Sequence, residues 1–353
     1  MTDLPIVIVG AGAIGMRHVE VALACPKTRI SAVVEPLAHR RAELQAMGLN
    51  AVETLDDAPV ETRAAVIATP TQDHHASTLA CIDRGWPVIV EKPIAATLDH
   101  ARQMVERAAN KEVPLFTGHH RRCHPFSRAT RDALARIGDL VGVQGLWSLR
   151  KHDTYYDADW RRKPGAGPLL TNLTHELDLL RFLVGEIDEV TALTSNARRG
   201  FVIEDTSALA LRFGNGALGS FLISDAGASP WSFEAASDEN PTIAASHQDY
   251  LRFVGTEGSL EFPSLTLWGR SAPGEIEWSR PLQRTPGPKF ETVDPLLEQM
   301  TRFAAVVSGA SDDVLCTGAD GTKALEMTLA AAMSEQQGHP VRTGEVPGDY
   351  TGV

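Results

Sequence analysis

The residues best suited to chemistry lie in two places. Glu91-Lys92-Pro93 follows the apolar run Val88-Ile89-Val90, which sets an ionisable pair at the carboxyl end of a strand. Ligands of open parallel sheets bind at that edge. A lysine there can donate a hydrogen bond to a reacting hydroxyl or carbonyl oxygen and stabilise negative charge developing on it. The alternative is a surface salt bridge at a strand end. Pro93 fixes the turn and is compatible with a cis peptide. The second place is Thr171-Asn172-Leu173-Thr174-His175-Glu176, just after Gly165-Ala166-Gly167. Thr171 or Asn172 can cap a helix that begins here. Asn172, His175 and Glu176 then lie within about one turn of one another. A histidine near a helix start suits acid–base work at neutral pH, although a single helical histidine is also an ordinary structural residue.

A third group binds rather than reacts. Gly10-Ala11-Gly12-Ala13-Ile14-Gly15 is a GxGxxG between an apolar strand and a helix, with Glu35 at the end of the second strand. Gly10 permits a tight turn, Gly12 lets a pyrophosphate approach the backbone, and Gly15 allows helix to pack closely on strand. The helix start then offers free N–H groups and the positive end of its dipole. The alternative is a structural glycine turn in an empty fold. Glu35 can accept hydrogen bonds from the adenosine ribose and repels a 2′-phosphate, so NAD is favoured over NADP. Arg40 and Arg41 stand one turn away, either as solvated helix charges or as phosphate ligands, and NADP stays possible on their account.

These groups need a scaffold, and the pattern supplies one. Apolar runs at Ile6–Val9, Ile30–Val34, Ala64–Ala68, Val88–Val90 and Leu115–Thr117 alternate with helical stretches at Ala13–Ala24, Ala38–Met47, His75–Arg84 and Leu98–Asn110. Short, fully apolar strands between helices predict a parallel sheet covered on both faces. After about residue 122 the strands lengthen and alternate: Val141–Leu149, Glu189–Thr194, Ser207–Phe213, Ala217–Ile223 and Tyr250–Val254, with a hairpin signal at Asn215-Gly216. Helical patterns recur at Ser127–Ile137, Asn172–Leu183, Pro295–Val307 and Gly321–Gln336. The expected class is α/β: an N-terminal Rossmann dinucleotide-binding domain over residues 1–122, then a C-terminal α+β domain over residues 123–353 with a large, mostly antiparallel open sheet. Residues 225–248 carry little period and read as a long loop, a place where function often resides. Trp231 and Phe233 are its candidates for stacking on a sugar ring.

The chain's 353 residues suit two domains. Its net charge of −12 argues against nucleic-acid and anionic-membrane surfaces. No apolar run approaches a membrane span, and the N-terminus has no signal-peptide pattern. Cys25, Cys81, Cys123 and Cys316 are scattered, so neither a disulfide framework nor a cysteine-rich zinc site is expected, and a reducing cytoplasm fits. His74-His75 and His119-His120 lack a completing carboxylate spacing, and no metal is expected.

Taken together, the sequence resembles the Gfo/Idh/MocA oxidoreductases, the glucose-fructose oxidoreductase and inositol dehydrogenase type. The resemblance covers essentially the whole chain. It rests on Gly10 to Gly15, Ala68-Thr69-Pro70-Thr71-Gln72-Asp73-His74, Glu91-Lys92-Pro93, Gly118-His119-His120-Arg121-Arg122, Trp160-Arg161, and Gly167 through His175 to Asp178. It implies that Lys92 binds the reacting oxygen and that His175 is the acid–base group. It implies that Thr69, Pro70, Thr71 and His74 line the cofactor, that Glu91 lies by the nicotinamide ribose, and that Trp160 and Arg161 close over cofactor and substrate. His120 and Arg121 match positions at the substrate edge, and Lys151, Tyr155, Tyr156 and Asn172 join them on a polar rim suited to a hydroxylated ligand. Many members carry an aspartate four residues before the histidine, where this sequence has Thr171. A threonine holds no negative charge to pair with Lys92 or raise the histidine pKa, and Asn172 is the substitute contact for a substrate hydroxyl. The implied activity is hydride transfer between nicotinamide and a secondary alcohol or ketone of a sugar, inositol or polyol, in a homodimer or homotetramer. The competing reading is a catalytically silent NAD-binding regulator of the same fold, against which the retention of both Lys92 and His175 counts.

Overall fold

The computed structural model describes residues 3–240, 242–270 and 276–353. It divides into two compact units, one of the residues up to Cys123 together with Asp294–Leu325, the other of His124–Val293 with Glu326–Val353.

In the first unit, β1 (Leu4–Val9), β2 (Thr28–Val34), β3 (Ala51–Val52), β4 (Ala64–Ile67), β5 (Val88–Val90) and β6 (Leu115–Thr117) form a sheet of order β3-β2-β1-β4-β5-β6, every pair parallel. This is the order of a doubly wound dinucleotide fold. The central strands are apolar without alternation because both faces are covered: Ile6, Val7, Ile8, all of β4 and all of β5 are completely buried. The strand β3 escapes sequence reading because two residues carry no period. The helices are α1 (Ala13–Ala24), α2 (Ala38–Ala46), α3 (Thr71–Asp83) and α4 (Leu98–Asn110). The start of α3 lies four residues before the helical pattern at His75, since Thr71-Gln72-Asp73 has no apolar residue to mark a face.

The first unit also contains α9 (Pro295–Val307). The sequence reading assigned this segment to the second domain with its neighbours in the chain, and here the structure differs. The amphipathic face of α9 buries Leu296, Met300, Phe303 and Ala304. Phe303 meets Phe116 edge to face at 6.1 Å, and Asp294, which caps α9, also pairs with Arg17. A helical stripe shows that a partner exists, not which one.

The second unit is built on β7 (Leu140–Ser148), β8 (Ile187–Ser195), β9 (Thr206–Phe213), β10 (Leu218–Ser224), β11 (Leu251–Gly255), β12 (Ser259–Phe262), β13 (Leu267–Arg270), β14 (Leu282–Thr285) and β15 (Val341–Arg342). Their order is β14-β13-β12-β11-β7-β10-β9-β8-β15. Among the described residues, only the β7–β10 pair of this sheet is parallel. The Asn215-Gly216 turn joins β9 to β10, with Gly216 at φ +87°. The helices α5 (Pro125–Leu134), α6 (Pro168–Thr171), α7 (Leu173–Val184), α8 (Phe233–Ser237) and the later part of α10 (Gly318–Gln337) complete the unit. Period-2 alternation separates a buried face, with Leu209, Leu211, Phe213, Phe221 and Ile223, from an exposed one. On the exposed face the register lines up Leu193, Ala208, Leu222 and Leu146 across four strands.

The 225–248 segment is not a plain loop, because it contains α8, capped by Ser232. Phe233 is fully buried against Phe126, Tyr250 and Phe262, which corrects its expected role in stacking on a ligand. A five-residue helix is too short to show its period, so a core aromatic there looks like a loop aromatic.

Candidate active site

The order of the parallel sheet reverses between β1 and β4, and ligands of such sheets bind in the crevice beyond the strand ends at that point. Gly10 ends β1 at φ +95°, and a Cβ there would stand 2.8 Å from the Ala68 carbonyl oxygen at the end of β4. A Cβ on Gly15 would lie 2.1 Å from the Gly10 oxygen, so only glycine lets α1 come this close. Gly12 is the opposite case, with no atom within 4 Å of where its Cβ would be. That open side leaves the room a pyrophosphate needs. No side chain caps α1 at Gly12 and no acid lies in its first turn, so the N–H groups before Ala13, Ile14 and Gly15 face no built-in counter-charge. Glu35 is buried, with its carboxylate accepting from the N–H of Leu37 at 2.9 Å and of Ala11 at 3.4 Å. These residues fit a dinucleotide. Arg40 and Arg41 are tied down rather than freely solvated. Arg40 donates to the Ala11 carbonyl and Arg41 to those of Glu35 and Pro36.

At the end of β5 the Lys92–Pro93 peptide is cis. Glu91 is buried and accepts from His18 Nε2 at 2.8 Å and from the backbone N–H of Lys92 at 3.1 Å. Burial alone would raise the Glu91 pKa, but the His18 hydrogen bond and the charges of His18, Lys92 and His120 outweigh it and hold the carboxyl down at about 2. A Cβ on residue 118 would lie 2.9 Å from Glu91 Oε1, so Gly118 leaves the space this carboxylate fills. His74 sits in the first turns of α3 with Nδ1 2.9 Å from the Pro93 carbonyl and Nε2 2.9 Å from that of Thr69. Burial lowers its pKa, and a neutral ring donates to only one of the two. The ring lies between the Thr69-Pro70 turn, which starts α3 at Thr71, and the turn after Lys92, and its one N–H bonds a carbonyl of one of them. His120 and Arg121 lie in the short helix that follows β6, with Arg121 buried.

The second unit carries the other group. His175 lies, buried, in the first turn of α7, whose N-terminal flank is Asn172. Asn172 Oδ1 accepts from Lys151 Nζ at 3.1 Å and from the Thr171 hydroxyl at 3.0 Å. Lys151 Nζ lies 3.3 Å from Asp225 Oδ2. The same carboxylate takes the Tyr156 hydroxyl at 2.5 Å and Arg199 Nε at 3.3 Å. Burial lowers the Lys151 pKa against the pull of Asp225, and burial with the Asp225 hydrogen bond raises that of Tyr156. Tyr156, Arg199, Arg150, Arg198, Asp153 and Phe201 line a cavity of about 410 Å³ beside this network. Trp160 is largely exposed, and the Arg161 guanidinium stacks on Tyr155 at 4.0 Å.

His18, Asp225 and Arg199 went unread in the sequence. The signal for His18 was its place on the helix that follows the glycines. The other two had none: Asp225 follows β10, whose pairing with β7 brings it to Lys151, and Arg199 reaches both from the turn after β8. His75 stacks on His100 at 4.2 Å and so turns to a different neighbour from His74. All four cysteines are buried free thiols. Among the described residues, no helix is long and apolar enough to cross a membrane.

Comparison with known proteins adds the following. Residues 4–119 match a family described as oxidoreductases with an NAD-binding Rossmann fold, and residues 127–261 match the GFO/IDH/MocA C-terminal domain. The chain is 30% identical to a 1,5-anhydro-D-fructose reductase from Ensifer adhaerens over 311 residues, 84% of each chain. It is 33% identical to the rhizopine catabolism protein MocA of Rhizobium meliloti over 188 residues, 53% of this chain and 59% of that one. An oxidoreductase from Agrobacterium radiobacter, solved with NAD+, L-tartaric acid and magnesium, superposes with a TM-score of 0.80 at 19% identity, over 97% of this chain and 99% of the other.

Proposed function

The chain belongs to the Gfo/Idh/MocA oxidoreductases, and from that premise we propose that it is an NAD-dependent dehydrogenase for a secondary alcohol of a sugar, inositol or related polyol. The observation that carries the reading is the Glu91–Lys92 turn. Glu91 is locked by His18 and Gly118, which leaves Lys92 at the strand end with its backbone fixed. Bound NAD supplies the hydride acceptor. Lys92 holds the substrate oxygen and stabilises the charge that grows as its proton leaves. His175 takes that proton, and returns it when a carbonyl is reduced. Thr69, Pro70, Thr71, His74, Trp160 and Arg161 position the cofactor, and His120, Arg121, Tyr156 and Asn172 bind the substrate.

Asn172 and Lys151 support a hydroxylated substrate, because an amide and an ammonium together donate to and accept from hydroxyls. The reductase relative has a sugar-derived substrate in its name. The pinned Glu35 carboxylate favours NAD over NADP. The apolar row Leu193, Ala208, Leu222 and Leu146 supports assembly through the open sheet face, and a monomer at micromolar concentration in light scattering would refute it. The test of activity is a panel of sugars, inositols and sugar acids screened for NAD reduction. We expect turnover on at least one polyol. If NAD binds while every such compound is inert, the chain is a regulator instead.

A further inference from the structure

The charges lining the cavity beside Tyr156 are unbalanced. It measures about 410 Å³, within the range of roughly 300–1,000 Å³ common to small-molecule sites. Its charged residues are Arg150, Arg198, Arg199 and Asp153, three guanidinium groups to one carboxylate. The carboxylates behind that lining face other partners. Asp225 pairs with Lys151 as well as with Arg199. Asp205 is 1% exposed and accepts the backbone N–H groups of Arg198 and Arg199. Glu234 accepts from the Trp147 indole, and Glu204 lines a different cavity, where it accepts from the Leu169 N–H.

Arg199 is the fixed element. Its side chain is 9% exposed. Nε donates to Asp225 Oδ1, and Nη2 donates to the carbonyls of Lys151 and Asp225. Nη1 makes no hydrogen bond among the described residues and is not sealed from solvent. It points to Asp153 on the lining: Asp153 Oδ1 stands 3.6 Å from Nη1 and accepts from Arg150 Nη2 at 3.2 Å. One carboxylate oxygen of the chain thus already rests between two guanidinium groups. The Asp153 side chain is 80% exposed. Exposed ion pairs are weak and screened, so the oxyanion of a ligand can take its place. Arg198 is exposed, and its side chain has no hydrogen bond or ion pair among the described residues. A guanidinium matches a carboxylate or a phosphate through two parallel N–H bonds. One that is held in advance loses less freedom when the anion arrives.

We propose that this cavity holds the oxyanion of an acidic sugar, a carboxylate or a phosphate ester, and that the hydroxylated substrate is therefore an anion. Tyr156 lines the cavity and joins it to the substrate residues, so the inference rests on the dehydrogenase reading for the identity of that ligand as substrate.

The test uses the full chain saturated with NAD. Calorimetry measures D-gluconate, D-glucose 6-phosphate, D-glucose and inorganic phosphate. At least one of the two acids is expected to bind about tenfold tighter than D-glucose, with an affinity that falls as salt rises. The tighter of the two tells carboxylate from phosphate ester. Arg199→Gln and Arg198→Gln each weaken that acid about tenfold and leave D-glucose unchanged. Asp153→Asn removes the competing carboxylate and tightens the acid about threefold, a gain that a merely structural role would not give. If Arg199→Gln does not fold, Arg198→Gln and Asp153→Asn, both at exposed positions, decide. The proposal is overturned if neither acid outbinds D-glucose, or if the variants bind the better acid as the wild type does. It is also overturned if inorganic phosphate binds as tightly as that acid, which would mean an adventitious ion only. NADH formation is read in parallel. Arginine-dependent binding of an acid with no turnover of any polyol would sink the dehydrogenase reading and leave the anion site standing. Turnover of neutral polyols with no binding of either acid would do the reverse.

Discussion

Each unit sets a lysine beside a buried carboxylate, and the two pairs differ in kind. In the first, Glu91 and Lys92 are chain neighbours, and the carboxylate is satisfied by His18 and a backbone N–H. It is held ionised, and its role is to fix the turn that presents Lys92. In the second, Asp225 is shared among Lys151, Tyr156 and Arg199. Its charge serves two cations and a phenol, with Asp153 also 3.6 Å from Arg199, and burial lowers the Lys151 pKa against the pull of Asp225. The first pair is a rigid pedestal. The second is a shared network of charges drawn from distant parts of the chain.

The comparison can be broken most sharply at Lys92. Lys92→Ala is expected to lower kcat/KM roughly 10³-fold, about 4 kcal/mol, with NAD affinity by fluorescence titration intact. Undiminished turnover would remove the pedestal's purpose. Next in size is the aromatic core of the second unit, where Phe233 meets Phe126, Tyr250 and Phe262. Phe233→Ala should cost about 3–4 kcal/mol in denaturant unfolding, while Trp231→Ala, at a half-exposed ring, should cost under about 1 kcal/mol. A near-neutral Phe233→Ala would contradict its place in the core.

The pedestal also makes a pH prediction. The Glu91 pKa of about 2 lies below its ordinary 4.5. The folded state therefore favours the carboxylate, and its contribution is complete above the unfolded pKa and lost as pH falls through 4.5 toward 2. Between pH 7 and pH 3 the wild type should lose about 2 kcal/mol more stability than Glu91→Gln, measured by urea unfolding at each pH. Equal losses would show that the His18 contact contributes nothing to holding the charge. The last effect belongs to the network. Lys151→Met should raise KM for the substrate about tenfold, some 1.4 kcal/mol, and change kcat less. A fall in kcat with KM unchanged would move Lys151 from binding to chemistry.

Legibility followed chain distance. The glycine turn, Glu35 and the Glu91–Lys92 turn were readable because each is set by a few consecutive residues at a strand end, where backbone geometry alone dictates the type. The parallel sheet was readable because strands buried on both faces cannot alternate. His18 was on the page as one helical residue among many, and nothing local names Glu91 as its partner. The two-residue strands β3 and β15 were too short to carry a period, β12 to β14 lack the continuous apolar run that marked β5 and β6, and α9 was assigned by chain order instead of by the surface its stripe covers.

By itself, then, the sequence determined the doubly wound sheet, the dinucleotide turn, the lysine at the end of β5 and the histidine in the first turn of α7, since each depends on local periodicity or a glycine that no other residue replaces, whereas the side-chain cap expected from Thr171 or Asn172 is not made. The tertiary structure alone decided that His18 holds Glu91, that Phe233 is core, that α9 returns to the first unit, and that Lys151, Asn172, Tyr156, Arg199 and Asp225 share one network. Those are contacts between residues far apart in the chain, and burial, charge and hydrogen bonding act on what is near in space.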